Sequence, residues 1–187
     1  MITLFEKYNI KNYNIADKLN KYYQNDINQE EIYKAIDNCS DLDVYSVNTI
    51  KHYTALQFAI NKNDVDIVEY LLKKGANPNQ PSIVNLYPLF SAVDFENIKI
   101  VKLLIEYGAN PNIRSFNLET PLLLSFKKSY IHIIEYLLPI TDWTIVNKKG
   151  YDIFDYMDDN YKKKIIKEYP EKYEKYLREK EMKKFNI

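Results

Sequence analysis

The chain has 187 residues, 46% hydrophobic and 28% charged, and its 26 Lys and Arg balance its 26 Asp and Glu. That apolar share can build a packed interior and excludes disorder as the global state, while zero net charge excludes the strongly basic balance of a protein that neutralises many phosphates. The single cysteine, Cys39, excludes an intramolecular disulfide and the multi-cysteine zinc patterns, and no run of about 18 apolar residues offers a membrane-spanning helix.

Taken from the start, Met1 to Lys7 lacks the charged-then-apolar pattern of a secretory leader, so a soluble, cytoplasmic protein is expected. Residues 1–27 are predicted as one or two capping helices, with Ile15, Leu19, Tyr22 and Tyr23 at helical spacing. Glu30 to Cys39 reads as a further helix, with Ser40-Asp41-Leu42-Asp43 turning out of it.

From there the chain repeats itself. Gly75-Ala76-Asn77-Pro78-Asn79 returns 33 positions on as Gly108-Ala109-Asn110-Pro111-Asn112. Thr54-Ala55-Leu56 returns as Tyr87-Pro88-Leu89 and as Thr120-Pro121-Leu122. Ile67-Val68-Glu69-Tyr70-Leu71-Leu72 is answered by Ile100 to Ile105 and by Ile133 to Leu138. A fixed period of this size marks stacked units, each burying its apolar face against its neighbours.

Within the first clear unit, Thr54 to Asn61 predicts a short helix with Leu56, Phe58 and Ala59 inward, followed by a turn at Lys62-Asn63. Asp64 is placed to accept from the free N–H groups of a second helix, whose Val65, Ile67, Val68, Leu71 and Leu72 recur at i, i+3, i+4 spacing. Lys73 and Lys74 suit its negative end, and Gly75 supplies the left-handed residue that stops it. Pro88 and Pro121 fall in the first turns of later helices, where a missing N–H costs nothing. In the third unit the Gly-Ala-Asn-Pro-Asn end is gone, and Pro139-Ile140-Thr141-Asp142-Trp143 stands there. Gly150-Tyr151-Asp152-Ile153-Phe154-Asp155 opens a degenerate last unit, offset by one deletion.

After Asn160, two helices separated by Pro170 are predicted. Their apolar side is Tyr161, Ile165, Ile166, Tyr169, Tyr173, Tyr176 and Leu177, and Glu171–Lys175, Glu174–Arg178 and Glu179–Lys183 are spaced for i,i+4 pairing.

These motifs resemble those of the ankyrin repeat: Thr-Pro-Leu-His-x-Ala, an Ile/Val-Val-x-x-Leu-Leu helix, then Gly-Ala-Asp-x-Asn. The resemblance implies an all-α fold, an ankyrin-repeat solenoid of stacked helix-turn-helix units with short hairpin loops and helical caps. It divides the chain into an N-terminal cap with a degenerate first repeat (1–48), three repeats (49–81, 82–114 and 115–147), and a degenerate last repeat with capping helices (148–187). The family glycine before the first helix is replaced by His52, Asn85 and Leu118, and the one between helices by Asn63, Glu96 and Ser129. Asn tolerates a left-handed backbone, so strain or another geometry is expected at Leu118 and Glu96.

Catalytic signals are weak. His52 and His132 are far apart in the repeat register, Cys39 has no histidine or basic neighbour, and Gly75, Gly108 and Gly150 are too dispersed to cradle a phosphate. Asp41 with Asp43, and Asp158 with Asp159, lack the further oxygen ligands of a calcium loop, and Lys162-Lys163-Lys164 reads as a solvated helix face. No catalytic residue, metal or cofactor is expected.

The resemblance implies partner binding on the concave side, through hairpin tips and first helices. By register the candidate residues are Tyr53, Lys62, Ile83, Val84, Leu86, Asp94, Phe95, Phe116, Asn117, Glu119, Lys127 and Lys128, with Ile50, Lys51 and Asn61 in neighbouring positions. The expected function is non-catalytic binding of a protein partner, of the inhibitor or immunity type or directed at a host factor, by a chain that is monomeric when unbound and takes neither nucleic acid nor membrane. The alternatives are a self-associating scaffold and an enzyme subunit with its chemistry in the flanks.

Overall fold

The structure, a computed structural model, describes residues 15–45 and 53–185. The expected cap over residues 1–14, and Ile50, Lys51 and His52, lie outside the described residues. Those described form ten α-helices and two 3-10 turns, with no strand among them, so the all-α class holds. They gather into two units, Met1–Ala109 and Asn110–Ile187.

In the first unit, α1 (Ile15–Tyr23) and α2 (Gln29–Asp37) form a helix pair, as do α3 (Ala55–Asn61) with α4 (Val65–Lys73) and α5 (Pro88–Asp94) with α6 (Ile98–Glu106). Helix α3 packs between α1 and α5, and α4 lies on α6. Capping chemistry sets the starts. Thr54 accepts from Gln57 N and Asp64 Oδ1 from Ile67 N (3.0 Å), as Asn97 Oδ1 does from Ile100 N (3.0 Å). The α4 stop follows its glycine: Gly75 has φ 94, and Gly75 N and Ala76 N donate back to the carbonyls of Leu72 and Leu71. Leu56, Ile60, Ile67, Leu71, Leu89, Ile100 and Leu104 are all at most 1% exposed. Each such burial stabilises by about 1.5–3 kcal/mol.

Gln57, at the family's histidine position, is fully buried, which the sequence pattern did not indicate. Its Oε1 accepts from Thr54 N (3.1 Å), and its Nε2 donates to the carbonyls of Gln80 (3.2 Å) and Leu86 (2.6 Å), tying the helix start to the next hairpin.

The Gly-Ala-Asn-Pro-Asn segments act as a relay. Asn77 Oδ1 accepts from Asn79 N (2.9 Å), just as Asp41 Oδ1 accepts from Asp43 N (3.0 Å), and Asp43 Oδ1 accepts from Asn77 N (2.9 Å) one repeat on. Asp41 and Asp43 are therefore hairpin residues bonded to backbone. Burial pushes the Asp43 carboxyl above its ordinary range, outweighing the Asn77 N–H bond that pulls it down.

The second unit opens with α7 (Pro121–Lys128) and α8 (Ile131–Leu137), which pack together, and Thr120 caps α7 by accepting from Leu123 N (3.2 Å). Where the third repeat lacks its glycine ending, a 3-10 turn at Leu138–Ile140 finishes the helix and Thr141 Oγ1 donates to the Leu137 carbonyl. The relay survives this change: Asp142 N donates to Asn112 Oδ1 (2.8 Å), and Asp142 Oδ1 accepts from Thr144 N (2.8 Å). Trp143, 2% exposed, donates its indole N–H to the Leu138 carbonyl (2.9 Å) and meets Phe154 and Tyr169 edge-on.

A second 3-10 turn, Ile153–Tyr156, packs on α7 in place of a full first helix, and α9 (Asp159–Glu168) and α10 (Pro170–Phe185) follow, Pro170 opening α10. Helix α10 docks through polar atoms. Lys172 Nζ donates to the carbonyls of Leu138 (2.7 Å) and Pro139 (2.8 Å), Lys180 Nζ to Asp152 Oδ2 (2.7 Å), and Lys183 Nζ to Thr144 Oγ1 (2.9 Å). Tyr176 OH also donates to Asp152 Oδ2 (2.8 Å). Two expectations are corrected here. Leu177 is 41% exposed and leaves the apolar side, which Tyr173 and Tyr176 form by packing on Phe154. The surface pairs also differ: Lys175 meets Glu179 (3.7 Å), Arg178 donates to the Glu174 carbonyl, and Lys183 is committed to Thr144.

The backbone keeps the family's left-handed positions without the glycines: φ is 58° at Asn63, 56° at Asn85, 55° at Glu96, 58° at Leu118 and 60° at Ser129. Strain was one of the two outcomes expected at Glu96 and Leu118, and the geometry is unchanged. Flanking bonds impose it: Glu96 N and Asn97 N donate to the Val93 and Ala92 carbonyls, and Leu118 N to that of Ser115.

Candidate functional site at the hairpin tips

Three hairpin turns share one construction. Ser82 N donates to the Leu86 carbonyl, Asn85 N to the Ser82 carbonyl, and Leu86 N to Ser82 Oγ. Ser115, Leu118 and Glu119 repeat this pattern, and Asn147, Gly150 and Tyr151 repeat it again with Asn147 Oδ1 in the hydroxyl's place. The third residue after each anchor is left-handed, so the two between project outward.

In the first unit those two are Ile83 and Val84, 60% and 59% exposed. Leu86 is half-buried with its carbonyl held by Gln57, and Tyr53 is half-buried. Lys62 caps the end of α3 and lies 5.7 Å from the Tyr23 ring centroid and 5.9 Å from that of Phe58. Phe95, one period later, caps α5 and is 49% exposed, beside exposed Asp94.

In the second unit Phe116 is 81% exposed and Asn117 is exposed beside it. Glu119 is turned inward and pairs with Lys127 at 3.0 Å, while the Lys128 ammonium lies 5.9 Å from the Tyr130 ring centroid. The structure adds residues that the pattern missed. Lys148 N donates to the Asn117 carbonyl (3.0 Å), its ammonium sits 3.8 Å from the Phe116 ring centroid, and Arg114 donates to the Val146 carbonyl (2.8 Å). Lys148 and exposed Lys149 stand at the third tip, where Phe116 and Asn117 stand at the second. Gly150 was the available signal: the one-residue deletion shortens the spacing, and carrying the tip register back from that glycine finds both lysines.

Among the described residues no cluster of His, Cys, Asp or Glu is arranged to hold a metal, and no helix is long and apolar enough to cross a membrane.

Helix pairs followed by left-handed hairpin turns of one construction, recurring within each unit, define a repeat protein. Residues 23–115 match the family model for ankyrin repeats (3 copies), so that stretch of the chain is ankyrin-repeat sequence. Ankyrin repeats are generally protein–protein interaction modules, and the family is typically non-catalytic. No curated protein matches the chain.

Proposed function

We propose that this chain is a non-catalytic module that grips a protein partner with its hairpin tips. The observation carrying this reading is the exposure of Ile83, Val84 and Phe116 at the centres of turns that backbone bonds between the flanking residues already close. Large apolar side chains so placed add nothing to turn closure, and exposed apolar and aromatic groups mark interaction sites and dominate their energetics.

Self-association has a different support. Tyr173 and Tyr176 pack against Phe154 inside the second unit, which leaves exposed Leu177 and Met182 on α10 to carry that reading. Site-specific photo-crosslinking in the producing cell separates the two. A crosslinker at Val84 or Phe116 should label one common protein, and one at Lys99, exposed on α6, should not. With that protein purified, Phe116→Ala should weaken binding by about tenfold or more while changing stability by no more than about 0.5 kcal/mol. Labelling of a second copy of this chain from Leu177, or equal labelling from Lys99 and the tips, would overturn the tip reading.

A further inference from the structure

The two hairpins of the second unit, residues 114–119 and 146–152, hold five charged side chains: Arg114, Glu119, Lys148, Lys149 and Asp152. Both carboxylates are already neutralised within the unit. Glu119, whose side chain is 14% exposed, pairs with Lys127 at 3.0 Å, and Asp152, at 4%, pairs with Lys180 at 2.7 Å. The charge presented outward is therefore cationic, from Arg114, Lys148 and Lys149, all exposed.

Part of this cationic charge lies against an aromatic ring. The Lys148 ammonium stands 3.8 Å from the centroid of Phe116, so an anion approaching that ammonium arrives beside exposed ring carbon. Resting on the reading of the tips as a partner surface, we infer that the second unit's tip takes an acidic peptide segment: carboxylates on Lys148, Lys149 and Arg114, and an adjacent apolar side chain against Phe116. The ring adds an apolar contact that a bare inorganic polyanion cannot use, and the chain's balance of 26 Lys and Arg against 26 Asp and Glu favours a peptide over a nucleic acid. Charge complementarity of this kind sets approach rate and partner choice, and for exposed groups it weakens with salt.

The test uses the full chain and a fluorescein-labelled synthetic peptide in which Asp and Glu flank a central Leu-Phe pair, read by fluorescence anisotropy. Binding should weaken by about tenfold or more in Lys148→Glu/Lys149→Glu and by about fivefold in Phe116→Ser, and should fall as NaCl rises from about 50 to 500 mM. Unchanged fluorescence of Trp143, the chain's single tryptophan, checks folding of the second unit in each variant. No binding by the peptide, equal binding by its Lys-for-Glu counterpart, or tighter binding by single-stranded DNA overturns the inference. Each of those leaves the crosslinking result at Val84 and Phe116 standing by its own measurement, so the two readings fail separately.

Discussion

Asp152→Asn tests how the last helix is held. Asp152 is 3% exposed; its Oδ2 accepts from Tyr176 OH (2.8 Å) and Lys180 Nζ (2.7 Å), and its Oδ1 from Phe154 N (2.9 Å). Asparagine keeps the shape but offers one oxygen. With that oxygen toward α10, the amide N–H₂ faces Phe154 N–H and the cap is lost, about 1 kcal/mol. The two remaining bonds also lose charge assistance, about 1 kcal/mol each. Since the Lys180 side chain is 49% exposed and water can solvate its freed charge, its share is discounted, giving about 2 kcal/mol in total. At a urea slope of about 1–2 kcal/mol per molar, the midpoint falls by about 1–2 M.

Trp143 is buried against Phe154 and Tyr169, so its emission follows this unit in a urea titration. Asp159→Asn, on the exposed start of α9, should change little. Adding Lys180→Met to Asp152→Asn should cost less than the two single changes summed, because they share one contact. A midpoint shift in Asp152→Asn no larger than in Asp159→Asn would refute the claim that this carboxylate anchors α10.

Burial pushes the Lys172 ammonium down to about 8, against the opposing pull of Asp142, and the ammonium lies 4.9 Å from the Trp143 centroid. The folded value lies below the ordinary amine value of 10.5. The unfolded chain therefore binds more protons between the two, and this group's contribution to stability rises with pH across that window. Trp143 emission should show a step near pH 8 that Lys172→Met removes, and identical titrations of the two proteins would contradict this. Glu96→Gly relieves a left-handed non-glycine residue, about 1–2 kcal/mol, against the entropy of a freer unfolded chain, about 0.5–1 kcal/mol. Its thermal midpoint should rise, and a fall would show that the turn stores no strain there.

Helix pairs were legible wherever one residue type had one physical job. Asp64 could be read as a cap, Gly75 as a stop, and Leu71 and Leu72 as core from their spacing alone. Gln57 was hidden because a polar side chain is buried only when its partners are supplied, and those partners are carbonyls 23 and 29 residues away. The docking of α10 was hidden for the opposite reason. Lys172, Lys180 and Lys183 look like a solvated face, yet their ammonium groups reach carbonyl, carboxylate and hydroxyl oxygens of Leu138, Asp152 and Thr144. At the tips, Phe116 followed from register, whereas Lys148 and Lys149 lay one deletion out of step with the count that placed Phe116.

The hairpin relay bears on how such a chain can change length. Asp43 accepts the amide of Asn77, and Asn112 accepts that of Asp142, each bond joining the last residue of one hairpin entry to the first of the next. Donor and acceptor thus keep the same roles at both of these steps, one in each unit. A duplication or excision spanning one whole period rejoins a complementary pair at the scar, whereas a cut at any other length strands a backbone amide. At these two steps, growth and loss in whole multiples of the period leave the bonding intact.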